Sequence, residues 1–248
     1  MDLFKLVLLP PRFLKALFLL SCTYIAALKW IGFKAQWFEW LGRKAFHAVV
    51  HFLGISVVRQ PMHTRPLPEK AIYISNHSSS FELFIITCLL NKTDYVIDAN
   101  VLKIPVINKI LLKGPLIFIQ RGSLQSRVDC LSTMAKRLAE GRNVMLFPEG
   151  YSHKYLSSHF AMGAFQASWD TGVPIVPIYM HYDNLDAFVP DAKVNHKKEF
   201  FRILFAPNKR IKAYIFDSIS PSTFKNPQDY RDAVYQQYCQ WQHDYYGC

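Results

Sequence analysis

The chain has 248 residues, 51% hydrophobic, 15% aromatic and 19% charged, with a formal charge of +11. That length suits one large domain or a domain with an appendage, and the charge favours an anionic partner: nucleic acid, a membrane surface or phosphorylated small molecules. Cys22, Cys88, Cys130, Cys239 and Cys248 are irregularly spaced without a C-x-x-C pair, which argues against a disulfide framework or a cysteine zinc site and for reduced thiols facing a cytosolic environment.

Residues 1–60 read as a hydrophobic, basic, helical segment that associates with membrane lipids. Ala16 to Leu28 is an uncharged run bracketed by Lys15 and Lys29. It falls short of the roughly 20 apolar residues of a full span, unless the flanking lysines snorkel. The sequence before Lys29-Trp30 lacks the small-residue cleavage site of a signal peptide. Next comes "KAQWFEWLGRKAFHAVVHFLGI", in which Trp37, Trp40, Leu41, Phe46 and Val49 share a broad apolar face. Tryptophan beside Arg43 and Lys44 suits an amphipathic helix at the cytoplasmic leaflet. The plainer alternative is a hydrophobic helical pair packed on the rest of the domain.

Residues 61–248 alternate short apolar runs with helical stretches, which predicts an α/β domain with a mostly parallel sheet flanked by helices. "AIYIS" (71–75), "DYVID" (94–98), "PLIFI" (115–119) and "NVMLF" (143–147) read as strands. So do "PIVPIYMHY", "FFRILF" and "IKAYIF". Helices are expected over "SFELFIITCLL", over "SLQSRVDCLSTMAKRLAEG", over 162–172 and from about Asp229 to His243. In the second of these, Leu124, Val128, Leu131 and Leu138 form the expected apolar stripe, Ser123 the N-cap and Gly141 the stop.

Polar residues interrupt this pattern where strands end, the usual place for reactive groups in such domains. His77 lies two residues past "AIYIS", and Glu82 in the first turn of the next helix. A carboxylate there reaches the imidazole N–H, fixes its tautomer and supports its positive charge as it takes a proton. The competing reading makes His77 a loop residue, with Ser78, Ser79 or Ser80 capping the helix. "FPEG" (147–150) stops a strand at Pro148 and turns at Gly150, leaving Glu149 exposed at the sheet's edge. Arg121 follows the strand of "GPLIFIQRGS" and offers a planar fork to a phosphate or carboxylate.

Four blocks in this order resemble the glycerolipid acyltransferases, the family of 1-acylglycerol-3-phosphate acyltransferases. They are Asn76-His77 with Glu82, Gly114 with Phe118-Ile119-Gln120-Arg121, Phe147-Pro148-Glu149-Gly150, and Val173-Pro174-Ile175-Val176-Pro177-Ile178. The resemblance covers about residues 70–180. It implies transfer of a fatty acyl group from a thioester, acyl-CoA or acyl carrier protein, to the hydroxyl of a lysoglycerolipid. His77 is then the base and Glu82 its orienter, where most members carry aspartate. Arg121 holds the acceptor's phosphate, and Glu149 and Gly150 position the acceptor. The thioester is a co-substrate; no metal or other cofactor is implied, and the enzyme is expected at a membrane with its site on the cytoplasmic side.

Three departures bear on the acceptor. Ala99 or Asn100, Tyr151-Ser152-His153 and Ala161-Met162 stand where many relatives place basic or Thr-Arg-Ser residues, with His153 and Lys154 as partial substitutes. A larger or less anionic headgroup tolerates that loss. Two alternatives follow: a glycerol-3-phosphate acyltransferase, or a non-catalytic lipid-binding protein on the same fold. "GYSHK" lacks the second glycine of a serine-hydrolase elbow. The run Lys193, Lys197, Lys198, Arg202, Lys209, Arg210 and Lys212 carries no nucleic-acid motif, so no nucleic-acid partner is expected.

Overall fold

The computed structural model describes residues 35–103, 108, 111–189 and 196–247. The apolar run 16–28 lies outside them. Helix α1 (Ala35–Phe52) leads into strand β1 (Ser56–Pro61). Next come β2 (Ile72–Ser75), α2 (Glu82–Leu89), β3 (Thr93–Asp98) and β4 (Leu116–Ile119). Helix α3 (Leu124–Ala139), β5 (Asn143–Leu146), α4 (Gly163–Thr171) and β6 (Ile175–Tyr182) follow. The chain closes with α5 (His196–Phe205), β7 (Arg210–Ile215) and α6 (Pro227–Tyr246).

The strands form one sheet in the order β1-β7-β6-β2-β5-β3-β4. Every neighbouring pair is parallel except β6 with β7. The expected α/β class with a mostly parallel, helix-flanked sheet is what the chain adopts. Side-chain alternation splits the core into two layers. Tyr73, Val176, Ile178 and Met180 face α1, α2 and α5, whereas Ile72, Ile74, Ile175 and Tyr179 face α3, α4 and α6. Arg142 ties α1 to the sheet by pairing with Glu39 and with Asp94 at the start of β3.

Several sequence expectations are corrected. "FFRILF" lies in helix α5, not in a strand: Glu199 and Ile203, four apart, are buried while Phe201 and Phe205 face outward. A short apolar run has no period of its own that separates strand from helix. Residues 56–60, expected in the helical leader, belong to β1, an edge strand that pairs with β7 and ends at Pro61. A terminal proline suits an edge. In α3 the buried residues are Cys130, Met134 and Leu138, whereas Leu124 and Val128 are exposed. Sheet contact, not side-chain hydropathy, selects the stripe. Ser123 does cap α3, accepting the Ser126 N–H at 3.2 Å. Among the described residues no helix is long and apolar enough to cross a membrane.

Candidate active site

Strands β2 to β6 run the same way, so their carboxyl ends share one rim. The loops leaving that rim carry the candidate residues. Asn76 sets the first of them. Its Oδ1 accepts the Met180 N–H at 2.7 Å and its Nδ2 donates to the Met180 carbonyl at 3.0 Å. A side chain thereby continues the β2–β6 ladder where the backbone leaves it, and His77 is turned out at the rim.

His77 and Glu82 are brought together, with Nδ1 2.6 Å from Oε2. Glu82 is fully buried at the start of α2. Its other oxygen accepts the Ser78 N–H at 2.8 Å and the Tyr182 hydroxyl. Burial first, then the Glu82 charge, holds the Tyr182 phenol well above its ordinary pKa, so it stays a donor. With donors on both oxygens, Glu82 is satisfied as an anion without solvent. Nδ1–H donates to it, which leaves the His77 lone pair on Nε2. The imidazole stacks on Phe147, centroids 4.2 Å apart and planes 16° from parallel. The serine-cap alternative is corrected: Phe81 occupies the N-cap of α2 and has no side-chain cap bond.

Glu149 is not exposed at the sheet's edge. It is half-buried under the loop, where Oε1 accepts the His77 backbone N–H and Oε2 the Ser157 N–H, each at 2.7 Å. Burial pushes its carboxyl up to about 7, against the lowering effect of those two donors. The His153 N–H donates to the His77 carbonyl at 2.8 Å, so the loops after β2 and β5 brace each other. Gly150 has φ +77°, and a Cβ there would meet nothing within 4 Å. It is glycine for its backbone angle, not for space.

Arg121 reaches the same rim from β4. Its Nε lies 2.7 Å from Asp98 Oδ2, Nη2 donates to the Gly150 carbonyl, and the guanidinium stacks 3.5 Å from the Tyr151 ring centroid. Asp98 and Gly150 take up two of the roughly five N–H donors of an arginine. Tyr151, in one of the departures noted above, thus supports Arg121 rather than replacing a charge. Lys154 pairs with Asp186 at 2.7 Å. Among the described residues no cluster of three or more His, Cys, Asp or Glu side chains fits a metal ion.

Tyr182 and Glu199 escaped the sequence reading. Glu199, almost fully buried on α5, accepts the Ser79 hydroxyl at 3.0 Å and the Ser80 N–H at 3.1 Å. It fixes the outer half of the loop that Glu82 fixes from within. The available signals were a lone acid in the basic run "HKKEFFR" and a tyrosine ending β6, neither of which specifies a partner.

Comparisons with known proteins bear on the family of the chain. A family model described as Acyltransferase matches residues 56–181, from β1 into β6. A chloroplastic 1-acyl-sn-glycerol-3-phosphate acyltransferase of Arabidopsis thaliana is 29% identical over 170 residues, 64% of this chain and 48% of that protein. A lyso-ornithine lipid O-acyltransferase of Pseudomonas aeruginosa is 31% identical over 136 residues, 54% of this chain and 48% of that protein. The chain thus spans about half the length of these curated relatives. The crystal structure of the 1-acyl-sn-glycerophosphate (LPA) acyltransferase PlsC from Thermotoga maritima superposes with TM-score 0.65 at 17% identity, covering 94% of this chain and 97% of that one. At that identity the likeness speaks for the fold. The family match, which covers just over half the chain, makes this protein a member of the acyltransferase family.

Proposed function

We propose that the chain transfers a fatty acyl group from acyl-CoA or acyl carrier protein to the free hydroxyl of a lysoglycerolipid, with 1-acylglycerol-3-phosphate the first acceptor to test. The observation that carries this reading is the 2.6 Å contact between His77 Nδ1 and a fully buried, doubly donated Glu82. A lipid binder has no need of an imidazole whose tautomer is fixed by an anion. His77 Nε2 takes the proton of the acceptor hydroxyl as its oxygen attacks the thioester carbonyl. A C–O bond forms, the C–S bond breaks, and the imidazolium returns its proton to the departing thiolate. Glu82 stabilises the transient imidazolium without itself taking the proton.

Arg121 receives the acceptor's phosphate, and its Asp98 and Tyr151 partners hold the guanidinium plane for it. Glu149 and Gly150 position the acceptor indirectly, Glu149 by holding the His77 backbone and Gly150 by accepting from Arg121. The names of the relatives support a lysophosphatidate acceptor, and one of them supports a lysolipid with another headgroup. Because acceptor and product are lipids, the reading includes a membrane-associated enzyme with its site on the cytoplasmic side.

The test is acyl transfer by purified protein from labelled acyl-CoA and from acyl carrier protein, offered glycerol-3-phosphate, lysophosphatidate and other lysolipids. Product from one acceptor identifies the substrate. His77→Ala should lose about 10²- to 10⁴-fold in rate. An undiminished rate in that variant breaks the assignment, and no product from any donor turns the reading to lipid binding without transfer.

A further inference from the structure

Helix α5 inverts the usual order of a surface helix. Its carboxylate, Glu199, is buried at 2% exposure, while Phe201 and Phe205 are 56% and 59% exposed. The two rings stand on successive turns, centroids 6.4 Å apart and planes within 8° of parallel. A helix that faces water places such residues the other way round. Phe200, on the inner side, packs against Phe52 of α1 and Phe81 beside the catalytic loop, at 6.2 and 6.3 Å between centroids. The exposed pair therefore stands on a helix whose inner side packs on α1 and on the residue before α2.

The neighbouring surface selects the partner. Helix α1 covers the same face of the sheet and presents Trp40, Lys44, His47 and His51 to the outside. The Lys44 ammonium lies 5.7 Å from the Trp40 ring centroid. The carboxylates of α1, α2 and α5 are Glu39, Glu82 and Glu199. Glu39 is ion-paired to Arg142, and the other two are buried. None of the three helices turns an unpaired carboxylate outward. Exposed rings beside cations, in a chain of charge +11, complement an anionic lipid headgroup layer over an acyl boundary.

We propose that the outer face of α5, through Phe201 and Phe205, together with the Trp40–Lys44 stripe of α1 on the same side of the sheet, is a docking surface for an anionic bilayer. Trp40 and Lys44 already belong to the membrane segment expected over residues 1–60; the new element is α5, which lies outside it. Phe201 and Phe205 enter the acyl boundary, and Glu199 on the opposite side of the same helix holds Ser79 and Ser80 of the loop that bears His77. Docking there sets the candidate site beside the lipid surface. It goes beyond the acyl-transfer reading and is measured without donor or acceptor, so the two fail independently.

The test is partition of the full chain onto vesicles of phosphatidylcholine with and without phosphatidylglycerol, for the wild type and for Phe201→Ser/Phe205→Ser. Removing two half-exposed rings should lower the partition coefficient on phosphatidylglycerol vesicles roughly tenfold or more. The urea midpoint should shift little, because more than half of each side chain is already exposed. Phe201→Leu/Phe205→Leu should retain most of the binding. Equal partition of wild type and serine variant overturns the proposal and leaves binding to residues 1–60. A wild-type dimer that the serine variant dissolves in solution, with vesicle binding unchanged, overturns it in favour of a second copy of the chain.

Discussion

The two faces of the sheet are built from the same strands and differ in what they bury. Beneath α3, α4 and α6 the core is a tyrosine and phenylalanine cluster whose hydroxyls end on backbone carbonyls. Tyr230 donates to Ile219 at 2.6 Å, Tyr235 to Ser157 at 2.7 Å, and Tyr238 lies 2.9 to 3.0 Å from the Ile178 and Ile74 carbonyls. Beneath α1, α2 and α5 the core buries two carboxylates, Glu82 and Glu199, whose partners belong to one loop and one strand end. A neutral hydroxyl on a carbonyl adds about 1 kcal/mol and specifies little. A buried carboxylate adds little net stability but imposes a geometry, since any lost donor leaves a charge uncompensated. One face is organised for stability and the other to hold His77.

That contrast breaks most sharply at Glu82. In Glu82→Gln one carboxylate oxygen becomes an amide NH₂. Whichever way it turns, it faces an existing donor: Nδ1–H of His77 on one side, the Ser78 N–H and Tyr182 hydroxyl on the other. The expected result is a loss of about 10³- to 10⁴-fold in kcat with KM little changed, read from steady-state acyl transfer. A kcat within a few-fold of wild type would make the Glu82 charge structural only.

Glu149 yields the next effect, visible in stability against pH. Its ordinary carboxyl value of 4.5 is raised to about 7 in the folded chain. A raised folded value means that the native state binds the proton more tightly than the unfolded one. The stabilising contribution is therefore complete below 4.5 and is lost as pH rises through about 7. At about 1.4 kcal/mol per pH unit that is at most about 3.5 kcal/mol. Urea unfolding between pH 5 and 8 should show wild type losing stability relative to Glu149→Gln as pH increases. Parallel curves for the two proteins would remove Glu149 as the titrating group.

Those effects also mark how far the sequence reaches. His77 and Glu82 were legible because their partnership is local: five positions, one strand end and one helix start fix it. Glu149 was legible as a polar residue at a strand end but not as a half-buried one, because its ligands are backbone N–H groups of His77 and Ser157 that only the folded loops bring together. Tyr182 stands 100 positions from Glu82 and Glu199 stands 120 from Ser79. No periodicity encodes contacts of that range. The same limit explains α5 and the α3 stripe. In "FFRILF" apolar side chains occur on both sides of the helix, and in α3 the leucine and valine positions outrank Cys130 and Met134 in hydropathy. In both, tertiary contact decided which side chains were covered.

The smallest effect compares the faces directly, by removing one hydroxyl from each. Tyr230→Phe takes a donor from the Ile219 carbonyl, which still accepts the Ile175 N–H at 3.0 Å. It should cost about 1 kcal/mol in urea unfolding and leave kcat per folded molecule unchanged. Tyr182→Phe takes a donor from a fully buried carboxylate, leaving the Ser78 N–H on that oxygen. It should cost about 1.5 to 3 kcal/mol, because the acceptor is charged. It should also lower kcat roughly tenfold, as Glu82 gains freedom to leave the His77 Nδ1 direction; a factor of ten in rate is about 1.4 kcal/mol. If the two variants lose equal stability and both keep kcat, Tyr182 is one more core tyrosine and the faces do not differ in kind. If only Tyr182→Phe loses rate, the geometry of the base is held from β6 as well as from its own loop.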